Sequence, residues 1–527
     1  MRDARWSAAA LYRAVWRWHF YAGLVCAPFL MILAVTGAIY LFNDEINDFV
    51  YPNLRFVPAV QGAVPLSEMA AAALAAHPGG TVTRIDTPKG EGRSVELFVT
   101  PQQGEPRRVF VDPGTARVLG SYVYTRTLVG FADVAHGSLM LGTFGDAVVE
   151  LAACWGFILI VTGLYLWWPR TGMGIAGVFV PRWRLGGRAF WKEWHAAIGL
   201  WTAVLVMFLI LTGLPWANVW GDLLRRGTDF AGIGYPSSHR GHGASIISTT
   251  VKQATDGAGP WTTENAPAPH SDAPQSDPHA HHGAAMAPAA QAGSQAIGVD
   301  AVAQVAAAHG MTGPYRLNLP RNPAAAYIVF SYPDQPEGQR TLYVDQYSGR
   351  VLDDVGFADY GIAAKAVELG VQLHMGNYFG RLNQIVMLIP CLGILFLSIS
   401  GPYMWWRRRP SGRLAAPRAL AAPTLRTLVL LIIALAIPFP LAGASLLLCL
   451  ALDGGCGRCG SRARPEGARD TSLPEIIVNS IQIGAVRRPG PLAGRSNRRG
   501  DKRTGAAAHR SAGARIPQKV CANPIGE

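Results

Sequence analysis

The stretch Trp16-Arg17-Trp18-His19-Phe20-Tyr21-Ala22-Gly23-Leu24 opens the first long apolar run of the chain. Its core, Trp18-His19-x3-Gly23-Leu24, recurs as Trp194-His195-x3-Gly199-Leu200. A Thr-Gly pair follows each histidine at the same spacing, so that His19-x16-Thr36-Gly37 recurs as His195-x16-Thr212-Gly213. A repeated spacing of this kind indicates a duplicated structural unit. The two histidines are therefore predicted to begin equivalent helices.

A second helix and the loop between the helices repeat as well. The pattern His136-x26-Gly163 recurs as His374-x26-Gly401. Between the helices, Val111-Asp112-x4-Arg117-Val118-Leu119 recurs as Val344-Asp345-x4-Arg350-Val351-Leu352. Each copy follows an alternating, strand-like run and an Ala-rich helical stretch, at 66–76 and 299–308. Each half is thus predicted to be a helix, a small α+β domain and a helix.

The composition points to a membrane. Half of the 527 residues are hydrophobic and only 15% are charged, against about 25% in soluble domains. Each of five runs without Asp, Glu, Lys or Arg is long enough for a membrane-crossing helix of about 18 to 20 residues. These runs are Phe20–Phe42, Leu151–Trp168, His195–Trp220, Leu382–Trp406 and Thr427–Leu452. The fold class is therefore a polytopic α-helical membrane protein, and its first run is an uncleaved anchor rather than a signal peptide.

Basic residues set the predicted topology. Arginines and lysines cluster before the first run, between the second and third, and after the fourth, and the positive-inside rule assigns such segments to the cytoplasm. The location is then the inner, cytoplasmic membrane, crossed several times. The four predicted spans are 20–42, 146–168, 195–220 and 382–406, followed by a fifth span or hairpin at 425–452. The cytoplasmic segments are the N-terminus 1–19 and the loops 169–194 and 407–424, and the extracytoplasmic domains are 43–145 and 221–381. The chain ends in a disordered basic tail, 453–527.

Four histidines at repeat-equivalent positions are the candidate site. A single intramembrane histidine could simply bond to a neighbouring helix, but ionisable residues in spans are costly and usually functional. A two-fold repeat would pair His19 with His195 and His136 with His374. Two facing imidazoles can ligate a haem iron axially, whereas zinc prefers four ligands with Cys or carboxylates nearby, and the spans offer too few of these. Haem is therefore the predicted cofactor and the four histidines its metal ligands.

Three points near these histidines stay open. Gly23 and Gly199, one turn after their histidines, either leave room for a macrocycle or allow close helix packing. The stretch from His136 to Trp168 would make about 48 Å of straight helix, so His136 stands at the outer interface or the chain bends near Gly142 and Gly145. Glu150, whose repeat partner is Leu388, is an interfacial snorkelling carboxylate, or it relays protons or touches the cofactor.

Other segments carry weaker signals. The segment 235–296 is rich in Ala, Pro, Ser, Gly and His, which predicts a disordered insert, and its His-rich patch (His239, His242, His270, His279, His281, His282) is either a metal-binding tract or a solvated linker. Cys456-x-x-Cys459 has no second metal-binding pair. The net charge of +13 resides mainly in the tail, where 454–527 holds 14 Lys/Arg against 5 Asp/Glu, so it does not indicate nucleic-acid binding.

These motifs resemble the PepSY-associated transmembrane family, over residues of about 10–450. The resemblance rests on the two Trp-His-x3-Gly motifs, on Thr162-Gly163-Leu164-Tyr165-Leu166-Trp167-Trp168, and on the paired loops, which look like PepSY domains. It implies two b-type haems held by the four matching histidines and reduction of a ferric siderophore outside the membrane. Some members carry a fused flavin or nicotinamide domain. This chain has no Gly-rich dinucleotide motif, so its electron donor is expected to be a separate cytoplasmic or membrane protein.

Three functions compete at this point. The first is a transmembrane oxidoreductase that delivers electrons to a ferric-siderophore or metal acceptor. The second is a siderophore or metal permease, because repeats are common in transporters. The third is a non-catalytic regulator whose PepSY-like loops bind a partner. No catalytic residue is predicted, and the repeated Asp112/Arg117 and Asp345/Arg350 pairs are expected to start and close turns rather than to bind the acceptor.

Overall fold

The computed structural model describes residues 8–59, 62–168, 179–235, 249–257, 259–271, 296–409, 434 and 437–448. Its helices are α1 (Ala8–Leu41), α2 (Asn43–Val50), α3 (Pro52–Arg55), α4 (Leu66–Ala76), α5 (Leu128–Ser138), α6 (Gly142–Trp167), α7 (Gly187–Gly213), α8 (Asn218–Phe230), α9 (Val251–Thr255), α10 (Val299–Ala308), α11 (Ile362–His374) and α12 (Arg381–Arg408). Its strands are β1 (Thr81–Asp86), β2 (Val95–Thr100), β3 (Arg107–Val111), β4 (Val118–Tyr122), β5 (Arg316–Asn318), β6 (Tyr327–Ser331), β7 (Arg340–Val344) and β8 (Val351–Gly356).

Among the described residues, four helices are long and apolar enough to cross a membrane: α1, α6, α7 and α12. They coincide with four of the five predicted spans. The bounds differ because the helical backbone continues past the charge-free runs. For example, α7 begins at Gly187 and continues through Arg188 and Lys192, whereas the predicted span begins at 195. It ends at Gly213, before the turn at Pro215, so residues 218–220 belong to α8 and not to the span.

The four long helices form a bundle. Helices α1 and α7 each pack against both α6 and α12, so α1 and α7 occupy opposite corners. Most of the predicted fifth span lies outside the described residues, but 440–448 is helical. Ala442 of this helix and Phe439, which precedes it, pack against Cys154 and Ile158 of α6, so residues 439–448 lie beside the bundle.

The strands form one antiparallel sheet of eight, in the order β4-β3-β2-β1-β5-β6-β7-β8. The two α+β domains predicted from the sequence are therefore joined. The joint is the pairing of β1 with β5, in which Ile85 lies opposite Leu317. Both side chains are fully buried, and burial of each contributes roughly 1.5–3 kcal/mol.

One face of the sheet packs on α4 and α10 through the buried side chains Met69, Ala73, Val302 and Ala306. This arrangement follows from the alternation of side chains along a strand, which gives each strand one apolar face. The predicted turn role of the repeated aspartates is confirmed at Asp112, whose Oδ1 accepts from the Gly114 N–H at 2.9 Å. The opposite face of the second half is covered by α11 and by residues of the insert.

The prediction that the whole segment 235–296 is disordered is wrong for 249–257 and 259–271. Val251 in α9 and Trp261 are 1% and 2% exposed, and the Trp261 indole N–H donates to the Pro215 carbonyl at 2.7 Å. The segment's average composition is polar, but these few large residues fill a gap between the sheet and α8. His270 lies in this folded part. The other residues of the His-rich patch fall outside the described residues, as do Cys456, Cys459 and the tail 453–527.

Candidate functional site

The bundle carries the four predicted histidines on four different helices. His19 lies on α1, His195 on α7, His136 on α5, and His374 is the last residue of α11. The open question about His136 is answered by a bend. Helix α5 ends at Ser138, the backbone reverses through Leu139 and Met140 at positive φ of 51° and 60°, and α6 then begins. Helix α5 packs against α1 and α6, so His136 faces the bundle.

Each histidine contacts a hydroxyl residue that precedes a glycine on a neighbouring helix. The imidazole Nδ1 atoms lie close to the hydroxyl oxygens, within hydrogen-bond distance in every case. The pairs are His19 with Thr162 at 2.9 Å, His136 with Thr36 at 3.0 Å, His195 with Ser400 at 2.7 Å, and His374 with Thr212 at 2.9 Å. These hydroxyl-glycine pairs recur at equivalent positions of the repeat, but the sequence alone does not show that they contact the histidines.

The hydroxyl geometry favours one imidazole tautomer at three of the four histidines. Thr36, Thr162 and Thr212 each donate their hydroxyl proton to the carbonyl four residues earlier, at 2.7 Å. A hydroxyl has one proton to donate, so each of these threonines accepts from the Nδ1–H of its histidine. The Nε2 atoms of His19, His136 and His374 then keep their lone pairs, the state that a metal-ligating histidine requires. At His195 the hydroxyl of Ser400 lies 3.4 Å from the Leu397 carbonyl and 2.7 Å from Nδ1, so this contact holds the ring without setting its tautomer.

The glycines after these hydroxyl residues allow the rings to approach. A Cβ atom on Gly37 would lie 3.0 Å from Cε1 of His136, and one on Gly163 would lie 3.2 Å from Cε1 of His19. The corresponding distances at Gly213 and Gly401 are 3.4 and 3.6 Å. A side chain larger than hydrogen would therefore crowd the ring at Gly37 and Gly163, with less effect at the other two.

All four histidines line one cavity of about 1420 Å³ inside the bundle. Gly23 and Gly199 line it too. An added Cβ on Gly23 would meet Leu159 at 3.8 Å, and one on Gly199 would meet Leu397 at 3.7 Å, both ordinary contact distances. Close helix packing therefore does not require glycine at these two positions, and the space they leave belongs to the cavity.

The histidines occupy two levels of the bundle. The separation of His19 from Thr36 along α1 corresponds to about 26 Å of helix, and His195 and Thr212 repeat this separation on α7. We call His136 and His374 the sheet-end pair and His19 and His195 the far-end pair. All four rings line the same cavity, and within each pair the two rings lie close enough for a charge on one to act on the other. The structure therefore brings together the two pairs that the repeat predicted.

The two ends of the cavity are more polar than its middle. At the sheet end the lining includes Arg316 and Tyr332, with the guanidinium 5.8 Å from the tyrosine ring. At the far end it includes Arg188, Lys192 and Arg408. Within the described part of the chain, no group of three or more His, Cys, Asp or Glu residues is arranged to hold a metal ion.

These features define a polytopic helical membrane protein with a histidine-lined cavity beneath an antiparallel sheet. The model of the PepSY-associated TM region matches residues 16–408, and the chain belongs to this family. All four histidines fall within the matched residues. No curated protein matches the chain.

Proposed function

We propose that the cavity holds two b-type haems, one between His19 and His195 and one between His136 and His374, and that the protein carries electrons across the membrane. The observation that supports this proposal is the contact that all four rings share. Each is held at Nδ1 by a neighbouring helix, which leaves Nε2 for a metal. Histidine ligands of metals are nearly always held in this way through their second nitrogen.

The cavity suits two large flat cofactors. Its volume of about 1420 Å³ exceeds the roughly 300–1,000 Å³ of ordinary small-molecule pockets. Two histidines per level match the two axial positions of a haem iron. The basic residues at the two ends can neutralise the porphyrin carboxylates, for which Arg is well suited. A bound haem would accept and pass on single electrons.

The topology proposed from the charges makes the far end cytoplasmic and the sheet extracytoplasmic, in an inner membrane. The two levels are separated by about 26 Å, close to the roughly 30 Å of hydrocarbon in a bilayer. The pairing of the two central strands supports the duplication. Arg84 precedes Ile85 in β1 just as Arg316 precedes Leu317 in β5, and Ile85 and Leu317 lie opposite each other. Electrons would enter from a separate donor at the far end and leave at the sheet end.

The acceptor proposed is a ferric siderophore or another oxidised metal complex outside the membrane, positioned by the sheet. Reduction suits iron release because hard oxygen ligands favour Fe(III) over Fe(II), an argument from ligand type. In this proposal the chain's own residues hold the histidine rings, exclude water from the cavity and place basic side chains at its two ends. The permease and regulator alternatives require none of these histidine contacts.

An absorption spectrum of the purified, haem-supplemented protein tests this proposal. The expected result is a Soret band that shifts on reduction with dithionite. His309→Ala is a matched control, because the His309 ring does not line the cavity and contacts the Val305 carbonyl of its own helix. This variant should keep the band that His136→Ala diminishes. A protein without a Soret band would refute the proposal and leave the permease and regulator alternatives.

A further inference from the structure

Glu150 is a buried carboxylate inside a membrane-spanning helix, α6. Its side chain is 1% exposed, so it does not snorkel to the surface. Its Oε2 accepts from the Val219 N–H at 3.0 Å. Its Oε1 has no hydrogen-bond partner among the described residues, and the residue lines the cavity. A buried oxygen without a partner is costly, and ionisable residues in spans are usually functional.

Part of this carboxylate's role is structural. Helix α8 begins after Ala217, whose side chain cannot accept a hydrogen bond, and it has no side-chain cap of its own. Glu150 takes the place of that cap by accepting from Val219, and Asp146 accepts from the Asn218 N–H at 3.4 Å. Helix capping requires acceptors only. The N–H groups of Val219 and Trp220 both act on this carboxylate, and the capping role still leaves Oε1 without a hydrogen-bond partner among the described residues.

The depth of Glu150 in the bundle follows from contacts of Gly156 on the same helix. A Cβ on Gly156 would meet Leu30 of α1 at 3.5 Å and Ile210 of α7 at 3.3 Å. Glu150 lies six residues nearer the sheet on α6, about 9 Å. Thr36 lies six residues beyond Leu30 on α1, in the same direction. On the α1 side Glu150 is thus level with Thr36, which contacts His136. On the α7 side the same count places Glu150 about 6 Å nearer the sheet than Thr212, which contacts His374. Glu150 therefore lies at the sheet side of the sheet-end pair.

We infer that Glu150 is a proton-binding residue of the sheet-end site, which takes up a proton when that site is reduced and releases it when the site is oxidised. This inference rests on the proposed function. An electron that enters the site removes one positive charge beside the carboxylate. A nearby positive charge favours the ionised carboxylate, so its loss favours the protonated one. One electron and one proton then enter together, and both leave when the acceptor is reduced.

The surroundings of Glu150 are compatible with this exchange. The titratable groups near it on α6 are Asp146 and Cys154. Across from them are the N-terminal N–H groups of α8, and Lys252 of the folded insert acts on Asp146. Helix α5, which also packs on α6, contributes Asp133 and His136 to the same cavity. Asp146 is one turn nearer the sheet and only half-buried, so it gives the proton a route to solvent.

The test is a redox titration of the haem-loaded protein, followed by visible absorption and repeated from mildly acid to mildly alkaline pH. In the wild type the midpoint potential of one of the two haem components should fall as the pH rises, because protonation accompanies reduction. In Glu150→Gln that component should lose its pH dependence, while the amide oxygen still accepts from Val219. Glu45→Gln is the matched control, since Glu45 is a partly buried carboxylate near the end of α1 that does not line the cavity.

The outcomes separate this inference from the proposed function. A wild-type potential that does not change with pH overturns the inference without any variant, and so does unchanged pH dependence in Glu150→Gln. If Glu45→Gln abolishes the dependence instead, the proton resides elsewhere. A protein that binds no haem refutes the proposed function itself.

Discussion

The hydrogen bond from His136 to Thr36 offers a sharp test of the tautomer argument. Thr36→Val keeps the shape of the side chain and removes the acceptor that lies 3.0 Å from Nδ1. The Leu33 carbonyl also bonds to this ring, so the imidazole N–H keeps one partner. The expected cost is therefore that of one ordinary hydrogen bond, about 1 kcal/mol, or about a fivefold weaker hold on the sheet-end haem.

The assay is the rate of haem loss from the purified protein to excess apomyoglobin. Thr202→Val is the matched control, because Thr202 is buried in α7 and donates to the Ile198 carbonyl at 2.8 Å, with no histidine bonded to it. In Thr36→Val one of the two haems should be lost faster, and in Thr202→Val neither. Equal haem loss in the two variants would refute the assignment of Thr36 as the residue that holds His136.

Three further predictions concern the cavity and the folded insert. Gly37→Ala should reduce haem content more than Gly401→Ala, because the added Cβ would lie 3.0 Å rather than 3.6 Å from a histidine ring; equal haem-to-protein ratios would contradict this. Arg316→Gln, which changes the cavity lining, should weaken haem retention, whereas Arg340→Gln should not, because Arg340 does not line the cavity and donates to Asp354 at 2.8 Å. Haem loss to apomyoglobin measures both, and equal loss would count against the role given to Arg316. Burial raises the pKa of the Glu368 carboxyl. The neutral form of this group therefore contributes stability that is fully present at low pH and is lost as the pH rises through the raised pKa. In a series of thermal-unfolding measurements over pH, Glu368→Gln should remove this decline in stability, and an unchanged decline would refute the prediction.

The histidine positions and the spans could be predicted because both depend on local or repeated sequence signals. The spacing of His19 from Thr36-Gly37, repeated at His195, marks equivalent helices without any knowledge of packing. The apolar runs likewise identify α1, α6, α7 and α12, since the hydrocarbon thickness sets a minimum length. The ends of these helices differ from the predicted spans, because a helix does not end where charge begins. Helix α7 continues through Arg188 and Lys192 at its start and ends at Gly213, before the turn at Pro215.

Three features could not be predicted, each for a different physical reason. The pairing of β1 with β5 joins strands from the two halves of the chain, and local periodicity carries no information about such distant partners. The order of 249–271 depends on Val251 and Trp261, which an average composition conceals. The hydroxyl contacts of the histidines depend on helix packing, although the recurrence of the Thr-Gly pairs in the sequence is a signal that these pairs serve the site.

The pairing of His19 with His195 is the central claim, and the haem content of three variants tests it most directly. His19→Ala and His195→Ala should each lose one of two haems, and the double variant should lose no more than either single variant, because both rings serve one iron. The remaining haem should keep the spectrum of the sheet-end pair and should still be reducible by dithionite. A double variant that loses both haems, or single variants that lose different ones, would contradict the pairing. Unchanged haem content in all three would mean that these histidines do not bind haem.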